Sequence, residues 1–246
     1  VSLVKIAIGA AATVLLILLI CGAVFAGTLG DYLQDDILKE AGNWSMEDYD
    51  LERTSFIYYV DSGGDIQQLQ QIYTTTDRQW ASLEEIPEAM VHAAVAIEDK
   101  RFYEHQGVDW ITTVKACLNM FFGGDEQFGG STITQQLIKN NIFNGGMETS
   151  FGAKLERKLQ EQYLALQLTK SMDRKLILTN YLNTINLGNN TLGVKVAARR
   201  YFNKEVSDLT LSECTVIAGI TQNPSRFNPI TGREANEEKR KIILQY

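Results

Sequence analysis

An uncharged apolar segment near the amino end constrains this chain more than any other feature. Residues 6–26, IAIGAAATVLLILLICGAVFA, contain no Asp, Glu, Lys or Arg. At about 1.5 Å of rise per residue, a helix of this length crosses a hydrocarbon layer roughly 30 Å thick. A cleaved signal peptide is the alternative, but the apolar core of such a peptide spans only about 7–15 residues. The segment therefore predicts a transmembrane anchor.

The charges that flank this segment predict its orientation in the membrane. Lys5 precedes it, whereas the acidic sequence GDYLQDD follows it. Because basic residues favour the cytoplasmic side, we expect residues 1–5 in the cytoplasm and the rest of the chain outside it, at the surface of the cell membrane. An acidic juxtamembrane linker at 27–54 and a single extracytoplasmic domain at 55–246 would follow.

The composition argues against some classes of protein. A formal net charge of -7 makes the chain a poor candidate for nucleic-acid binding, which depends on neutralising phosphates, so we expect no nucleic-acid partner. Outside the apolar segment the only cysteines are Cys117 and Cys214, which permit at most one disulfide and are predicted to be buried free thiols. No spacing of cysteine and histidine resembles a zinc site.

Local patterns after residue 54 predict a mainly α-helical domain with a small β-hairpin. SFIYYVDSGGDIQQLQQIY is typical of two strands, at 57–60 and about 67–73, joined by a Ser-Gly-Gly turn. Apolar periodicity and capping-box patterns then predict helices. These are expected at 94–107, from Thr132, at 154–170 with Leu155, Leu159, Tyr163 and Leu166 as the apolar face, at 173–187, at 194–202, and from Thr210.

The helix predicted at 94–107 carries ionisable side chains where a core-facing stripe is expected. Val91, Val95, Glu98, Phe102 and His105 follow one another at spacings of four and three. Burial would raise the pKa of the glutamate, which suits a general base near neutral pH. A partly exposed glutamate paired with a neighbouring Lys or Arg is the alternative. The gathering of polar groups on one face favours a cleft over a packed core.

Two further segments contain groups that suit a phosphate-bearing ligand. In GGSTITQQLIKN, two glycines precede the candidate N-caps Ser131 and Thr132, so backbone N–H groups at the helix start could hold an anion, with Lys139 extending the site. In KLERKLQEQ, three side chains meet on one helix surface: Arg157, Lys158 and Glu161. A simple capped helix start and a solvated salt-bridge face are the respective alternatives.

In chain order, AIEDKRFYEHQG, GGSTITQQLIKN, RKLQE, KLILTNYLN and TQNPSRFNP resemble the successive motifs of the peptidoglycan glycosyltransferases. The similarity covers about residues 55–246. It implies a lysozyme-like fold of two lobes with a cleft between them, one lobe being partly hydrophobic and resting on the membrane. Such domains occur alone or as the first module of bifunctional penicillin-binding proteins. Since the helical pattern KRKIILQY runs to the last residue, we expect a longer protein with a transpeptidase domain following.

The resemblance also implies a substrate and a reaction. The substrate is lipid II, a disaccharide-peptide carried on undecaprenyl diphosphate, and the product is a growing glycan strand. By its place in the first motif, Glu98 would deprotonate the 4-hydroxyl of the acceptor N-acetylglucosamine. That oxygen would attack C1 of the lipid-linked sugar, with inversion of configuration and release of undecaprenyl diphosphate.

The remaining site residues are implied by matching motif to motif. Glu161 would be a second catalytic carboxylate that positions substrate or metal. The substrate-binding residues implied are Asp99, Phe102 and His105 in the first motif, Ser131, Thr132, Gln135, Gln136, Lys139 and Asn140 around the donor sugar and diphosphate, Arg157 and Lys158 at the leaving group, and Asn183, for which helix packing is an equal alternative. No cofactor is required, although Mg²⁺ or Mn²⁺ would suit the diphosphate; the sequence encodes no dedicated metal site.

Two other functions stay open at this point. A lysozyme-like lytic enzyme would cut glycan with an acidic carboxyl group and water. It has no need of the basic group at Lys139, Arg157 and Lys158, because a neutral glycan carries no diphosphate. A non-catalytic membrane scaffold, recruiting other cell-wall synthesis or division proteins, would not require the acidic and basic positions that the chain retains.

Overall fold

The computed structural model describes the second part of the chain in detail. Within residues 1–54 it describes only 13, 16, 17, 19, 20, 24, 27 and 31, and beyond them it describes 55–60, 63–72, 77–122, 130–143 and 145–246. The chain divides into two units, Val1–Asp48 and Tyr49–Tyr246. The predicted anchor and linker fall almost wholly outside the described residues and stay predictions. Among the described residues, no helix combines the length and apolar composition needed to cross a membrane.

The described residues of the first unit are helical. Its apolar side chains are each more than half exposed: Leu16, Ile17, Leu19, Ile20 and Val24.

The second unit is mainly α-helical, as predicted. Its helices are α1 (Glu88–Glu98), α2 (Trp110–Phe122), α3 (Ile133–Asn141), α4 (Phe151–Ser171), α5 (Arg174–Thr184), α6 (Val194–Phe202), α7 (Leu211–Ile220) and α8 (Arg233–Ile243). Its strands are β1 (Ser55–Val60), β2 (Ile66–Ile72), β3 (Asp77–Arg78) and β4 (Thr191–Leu192). The helical class is confirmed, whereas the lysozyme-like arrangement of two lobes stays a prediction.

The predicted hairpin is confirmed. Strands β1 and β2 pair antiparallel, with Ser55 opposite Ile72 and Val60 opposite Ile66, and a register shift follows Ile57. The two short strands β3 and β4 form a separate parallel pair, which joins the segment before α1 to the segment before α6.

Two capping boxes that the sequence predicted start the helices that matter most for the site. At α3, Thr132 accepts from the backbone N–H of Gln135, whose side chain accepts from the N–H of Thr132. Thr210 and Glu213 form the same reciprocal pair at α7. Each box satisfies two of the N–H groups that a helix start leaves unpaired.

The prediction of a helix at 94–107 is wrong beyond Glu98, because α1 ends at that residue. Asp99 leaves the helical conformation, with φ -159° and ψ 74°. Its carboxylate accepts hydrogen bonds from the Ile133 N–H at 3.0 Å and from His105 at 2.9 Å. These contacts hold the chain in turns as far as Gly107, which has a φ of +93°. The stripe through Phe102 and His105 is therefore not one helix face.

The buried faces of α1 and α4 also differ from those predicted. On α1 the buried residues are Met90, Ala93, Ala94 and Ile97, so Glu98 lies beside the core face. On α4 the predicted apolar face is only partly confirmed: Leu166 packs against the core, but Leu155 is 51% exposed and Glu161 is fully buried. Arg157 and Lys158 pair with the Glu161 carboxylate, and this pairing allows the charged face to turn inward.

The core lies between α1, α3, α5 and α7. Its largest fully buried side chains include Phe102, Ile133, Leu137, Tyr181 and Leu182. Cys214 of α7 is a buried free thiol, as predicted, and burial raises its pKa to about 11. The side chain of Cys117 lies outside the described part of the structure. At the edge of this core, the Asp99 carboxylate joins the end of α1 to the start of α3 through the Ile133 N–H.

Candidate active site

Glu98, the last residue of α1, is held by two hydrogen bonds that come from different parts of the chain. Oε2 accepts from Gln136 Nε2 of α3 at 2.5 Å, and Oε1 accepts from Thr221 Oγ1, just after α7. Glu98 as a residue is partly exposed, but burial of its carboxylate raises the pKa above the ordinary value. The two hydrogen bonds and the charges of Lys239 and Lys139 lower the pKa, and burial outweighs them. Such a carboxylate accepts a proton more readily than an exposed one.

Glu161 of α4 is fully buried and organises two cations. Arg157 Nη1 donates to Oε1, and Lys158 Nζ donates to Oε2 at 2.6 Å. Arg157 Nε also binds Glu148 Oε2 at 2.6 Å. Burial lowers the pKa of Arg157, but its bonds to Glu148 and Glu161 outweigh burial and raise it overall. Lys158 Nζ reaches Ser131 Oγ at 2.9 Å, which ties α4 to the segment before α3.

Lys139 of α3 adds a third cation to this group. The pKa of Lys139 is lowered, mainly by burial and further by the charges of Lys158 and Arg157. The negative charges of Glu161 and Glu98 raise it, but by less. No carboxylate within the described ranges lies at ion-pairing distance from its Nζ. We call Lys139, Arg157 and Lys158 the cation cluster. The Glu148 and Glu161 carboxylates leave it one positive charge in excess, which favours an anionic ligand.

A cavity of about 280 Å³ opens where α1 ends. Its wall includes Glu98, Lys100, Lys115 and Ser131. Since Ser131 also contacts Lys158, this cavity, which we call the recess, adjoins the cation cluster. Glu98 and Lys139 are close enough that the charge of each affects the pKa of the other, so a carboxylate at the recess and a cationic site for an anion lie side by side.

Among the residues that follow Glu98, three predicted to bind substrate are internal. Phe102 is fully buried, and Asp99 is 6% exposed. His105 Nδ1 accepts from the Gly107 N–H at 3.1 Å, so its Nε2 carries the hydrogen that binds Asp99. The backbone carbonyls of Phe102 and His105 accept from Arg174. These contacts support a positioning role, and direct substrate contact stays a prediction.

Three more predicted substrate-binding residues are engaged inside the protein. Thr132 Oγ1 donates to the Gly107 carbonyl at 2.6 Å, and the Gln135 side chain closes the capping box. Asn183 is fully buried, where its amide accepts from the Ala81 N–H at 2.7 Å and donates to the Ala81 carbonyl at 2.9 Å. By contrast, four other predicted substrate-binding residues keep partly exposed surface: Ser131, Gln136, Lys139 and Asn140.

Sequence reasoning missed Thr221 and Lys239. Thr221 lies in the quoted motif TQNPSRFNP, but no single residue there suggested a bond to Glu98, 123 positions earlier. Lys239 is only 6% exposed, and its charge favours ionised Glu98. The spacing of the buried residues Asn236, Lys239 and Ile243 on α8 is a helical signal that could have identified it.

The prediction of a divalent cation stays untested. Where the structure describes the chain, no group of three or more His, Cys, Asp or Glu side chains is placed to hold a metal ion. Each oxygen of Glu161 already accepts a hydrogen bond from a cation of the protein, so a metal ion at Glu161 would lie next to Arg157 and Lys158.

Comparison with known proteins points to one family. The transglycosylase family model matches residues 64–246. Penicillin-binding protein 1A of Clostridium perfringens (strain 13 / Type A) is 42% identical over 195 residues, which cover 76% of this chain and 26% of the relative. Penicillin-binding protein 1F of Bacillus subtilis (strain 168) is 40% identical over 185 residues, covering 75% and 25%. The chain thus spans about a quarter of the length of these relatives.

A solved structure adds little to this comparison. The crystal structure of penicillin-binding protein 1A from Haemophilus influenzae matches 79% of this chain and 18% of its own, at 21% identity and a TM-score of 0.39, which is too low to bear on the fold. The match to the family model covers well over half of the chain and contains the motifs around Glu98 and the cation cluster. The chain therefore belongs to the transglycosylase family, the peptidoglycan glycosyltransferases that its motifs resemble.

Proposed function

We propose that this protein polymerises lipid II into glycan strands, with Glu98 as the general base and undecaprenyl diphosphate as the leaving group. One observation carries the proposal: a carboxylate with a raised pKa lies beside a cation cluster that has one positive charge in excess, near enough for Glu98 and Lys139 to act on each other's pKa. A glycosyl transfer from a lipid diphosphate needs both groups, because one substrate loses a proton while the other loses an anion.

In the proposed reaction, Glu98 takes the proton of the acceptor 4-hydroxyl. The freed electron pair forms the new bond to C1 of the donor sugar, while the bond from C1 to the diphosphate oxygen breaks and its electrons leave with the diphosphate. Direct displacement on the face opposite the leaving group inverts C1. The raised pKa of Glu98 brings its basicity closer to neutral pH, where proton transfer is most effective.

The cation cluster would stabilise the negative charge that develops on the diphosphate. Arg157 supplies a planar fork of N–H donors, which suits a phosphate, whereas Lys139 and Lys158 act as compact charges. Glu161 keeps Arg157 and Lys158 in place before substrate arrives, so little reorganisation is needed during the reaction.

The placement of Glu161 argues against the lytic alternative. A glycan-cleaving enzyme with two carboxyl groups needs the second to reach the sugar or a water molecule. Glu161 has no exposed surface, and its two oxygens are bound by Arg157 and Lys158. A catalytically silent scaffold, for its part, would gain nothing from a desolvated carboxylate beside surplus cations, which costs folding free energy.

The domain is proposed to lie against membrane lipid. Three large apolar side chains at the start of α2 are more than half exposed: Trp110, Ile111 and Val114. Together with the predicted anchor at 6–26 they fit a domain that rests on the outer face of the cell membrane, with a lysozyme-like pair of lobes around the recess. Other cell-wall synthesis or division proteins, a transpeptidase domain and a divalent cation remain proposed partners.

A polymerisation assay separates the three functions. The full chain, reconstituted in lipid vesicles, is incubated with labelled lipid II, and a parallel sample receives preformed glycan strands. We expect long glycan chains from lipid II and no change in the preformed strands. Shortening of the preformed strands would instead identify a lytic enzyme, and inactivity on both would identify a scaffold; either result overturns the proposal.

A further inference from the structure

The hydroxyl of Thr221 has two hydrogen-bond partners but only one hydrogen. Thr221 is the residue that follows α7, and its Oγ1 lies 2.9 Å from the carbonyl of Ala218, one turn earlier. The same oxygen lies within hydrogen-bonding distance of Glu98 Oε1. A hydroxyl donates one hydrogen bond and accepts up to two, so it cannot donate to both neighbours at once.

The two arrangements of this hydroxyl correspond to the two protonation states of Glu98. An ionised carboxylate only accepts, so Thr221 then donates to Oε1. A protonated carboxyl group carries an O–H donor, which Thr221 Oγ1 can accept while it donates to the Ala218 carbonyl. Only the hydroxyl hydrogen turns about the C–O bond, and no heavy atom moves. The Ala218 carbonyl also accepts from the Thr221 backbone N–H at 3.4 Å, so it keeps a partner in both arrangements.

Gln136 binds the other carboxylate oxygen and, unlike the Thr221 hydroxyl, cannot change from donor to acceptor there. Its Nε2 is a donor in either protonation state of Glu98, and it binds Oε2 at 2.5 Å. Together the two side chains fix both oxygens, which leaves the remaining lone pairs free to face the cavity. We propose that Thr221 is a positioning residue that keeps the Glu98 carboxylate in the same position in both of its protonation states. This inference rests on the proposed function of Glu98 as the base.

Other charged groups around Glu98 act in both arrangements. Lys139 on α3 and Lys239 on α8 favour the ionised carboxylate. Asp99 is the next residue along the chain, and the buried Tyr181 of α5 is close enough that the charges of Glu98 and Asp99 raise its pKa. Replacing the Thr221 hydroxyl removes a neutral group, so the number of charges around Glu98 stays the same.

The test removes the hydroxyl while keeping the shape of the side chain. In Thr221→Val the ionised form of Glu98 loses a charge-assisted bond, which is stronger than the bond made by the neutral form, so the pKa of Glu98 rises. The acidic limb of the pH profile for lipid II polymerisation should move up by about one pH unit. The rate should fall about tenfold below the wild-type midpoint and approach the wild-type rate well above it.

Two variants serve as controls in the full chain. Thr221→Ser keeps the hydroxyl and should restore the wild-type midpoint. Thr215→Val, on the same helix, removes a buried hydroxyl that donates to the Ser212 carbonyl at 2.8 Å, and it should leave the midpoint unchanged. The inference is overturned if the Thr221→Val profile superimposes on that of the wild type, if Thr221→Ser shifts as far, or if activity falls equally at every pH.

A titration without substrate separates this inference from the proposed function. The Glu98 carboxyl carbon is followed by ¹³C NMR in the protein labelled at glutamate, with the Glu98 signal assigned by its loss in Glu98→Gln. A higher pKa in Thr221→Val than in the wild type supports the inference even if lipid II is not polymerised. Equal pKa values contradict it even if the wild type is an active polymerase.

Discussion

At the scale of single residues, Glu161 is a charged side chain that is buried and fully paired. Its carboxylate has no exposed surface, and Arg157 and Lys158 each bind one of its oxygens. Removing one partner of a buried charged group is far more costly than the net contribution of the intact pair, because an uncompensated charge stays buried. Glu161 is therefore required both for the fold of α4 and for the position of the cation cluster.

The first prediction concerns Glu161→Gln. The amide keeps the shape of the side chain but removes the negative charge, which leaves the cation cluster with a larger excess of positive charge. We expect the free energy of unfolding in denaturant to fall by about 3 kcal/mol and lipid II polymerisation to fall at least tenfold. Glu156→Gln on the same helix is the matched control and should stay within about 0.5 kcal/mol of the wild type. Equal stability of the two variants would contradict the assigned pairing.

The second prediction concerns the fully buried Tyr181 of α5. Within the described ranges, its hydroxyl has no hydrogen-bond partner, and burial raises its pKa well above the ordinary value. An unpaired buried hydroxyl costs about 1–3 kcal/mol, so Tyr181→Phe should be neutral or should stabilise the protein by about 1 kcal/mol in denaturant unfolding. A loss of more than about 1 kcal/mol would mean that the hydroxyl has a partner, such as an internal water.

At the scale of elements, the turns between α1 and α2 hold the site together. Asp99 binds the first N–H of α3, Thr132 binds the Gly107 carbonyl, and Arg174 of α5 binds the carbonyls of Phe102 and His105. This segment therefore connects the end of α1, which carries Glu98, with the helix that carries Gln136 and Lys139. A substitution that changes the backbone conformation of this segment should therefore displace Glu98 as well as Gln136 and Lys139.

Gly107 is a position in this segment where a single substitution should disrupt the packing. A Cβ there would lie 2.2 Å from the Ala165 carbonyl oxygen of α4, and the φ of +93° disfavours any side chain. Gly107→Ala should lower the free energy of unfolding by more than about 2 kcal/mol. Gly145 also has a positive φ, of +81°, but an added Cβ would meet nothing within 4 Å.

Gly145→Ala is therefore the control, and it should cost only the backbone strain of about 1 kcal/mol. Denaturant unfolding of both variants measures the difference between them. If Gly107→Ala proved no more destabilising than Gly145→Ala, the close packing of this turn on α4 would be contradicted.

The sequence predicted elements well where the signal is local. The Thr132 and Thr210 capping boxes, the hairpin and the helix Val194–Phe202 were all visible from a few neighbouring residues. The end of α1 was not, because Asp99 is drawn out of the helix by the Ile133 N–H, which lies 34 positions later. Periodicity along one helix contains no information about such a contact.

The site was predictable to the extent that its motifs are recognisable. The motifs identified Glu98, Glu161 and the cation cluster, and the structure brings these groups close enough for their charges to act on Lys139. Thr221 was missed because its bond to Glu98 depends on how α7 packs against α1. The burial of Glu161 was missed because the exposed Leu155 suggested the opposite face, and charge pairing outweighed hydrophobicity there.

At the scale of the whole molecule, the exposed apolar start of α2 leads to a prediction about the membrane. Trp110 is 54% exposed and adjoins the exposed Ile111. A large apolar side chain gains about 1.5–3 kcal/mol when it leaves water, so we expect Trp110 to enter the lipid. In vesicles that contain brominated lipid, the fluorescence of a protein with Trp110 as its only tryptophan should be strongly quenched.

A protein whose only tryptophan is Trp80, which follows β3 and precedes α1, provides the comparison. Both single-tryptophan proteins are made from the full chain by replacing the other tryptophans with Phe, so any anchor is shared. Quenching of Trp110 no greater than that of Trp80 would show that the start of α2 faces water and would contradict the proposed orientation.

The central claim is that a desolvated Glu98 takes the proton in glycan polymerisation, and Glu98→Gln tests it most directly. Lipid II polymerisation by the wild type should rise with pH through a midpoint above the ordinary glutamate range, because the base must be ionised and burial raises its pKa. Above that midpoint the folded Glu98→Gln variant should be at least about a hundredfold less active than the wild type, and its activity should not show the same rise with pH. Glycan chains made by this variant at the wild-type rate would contradict the account.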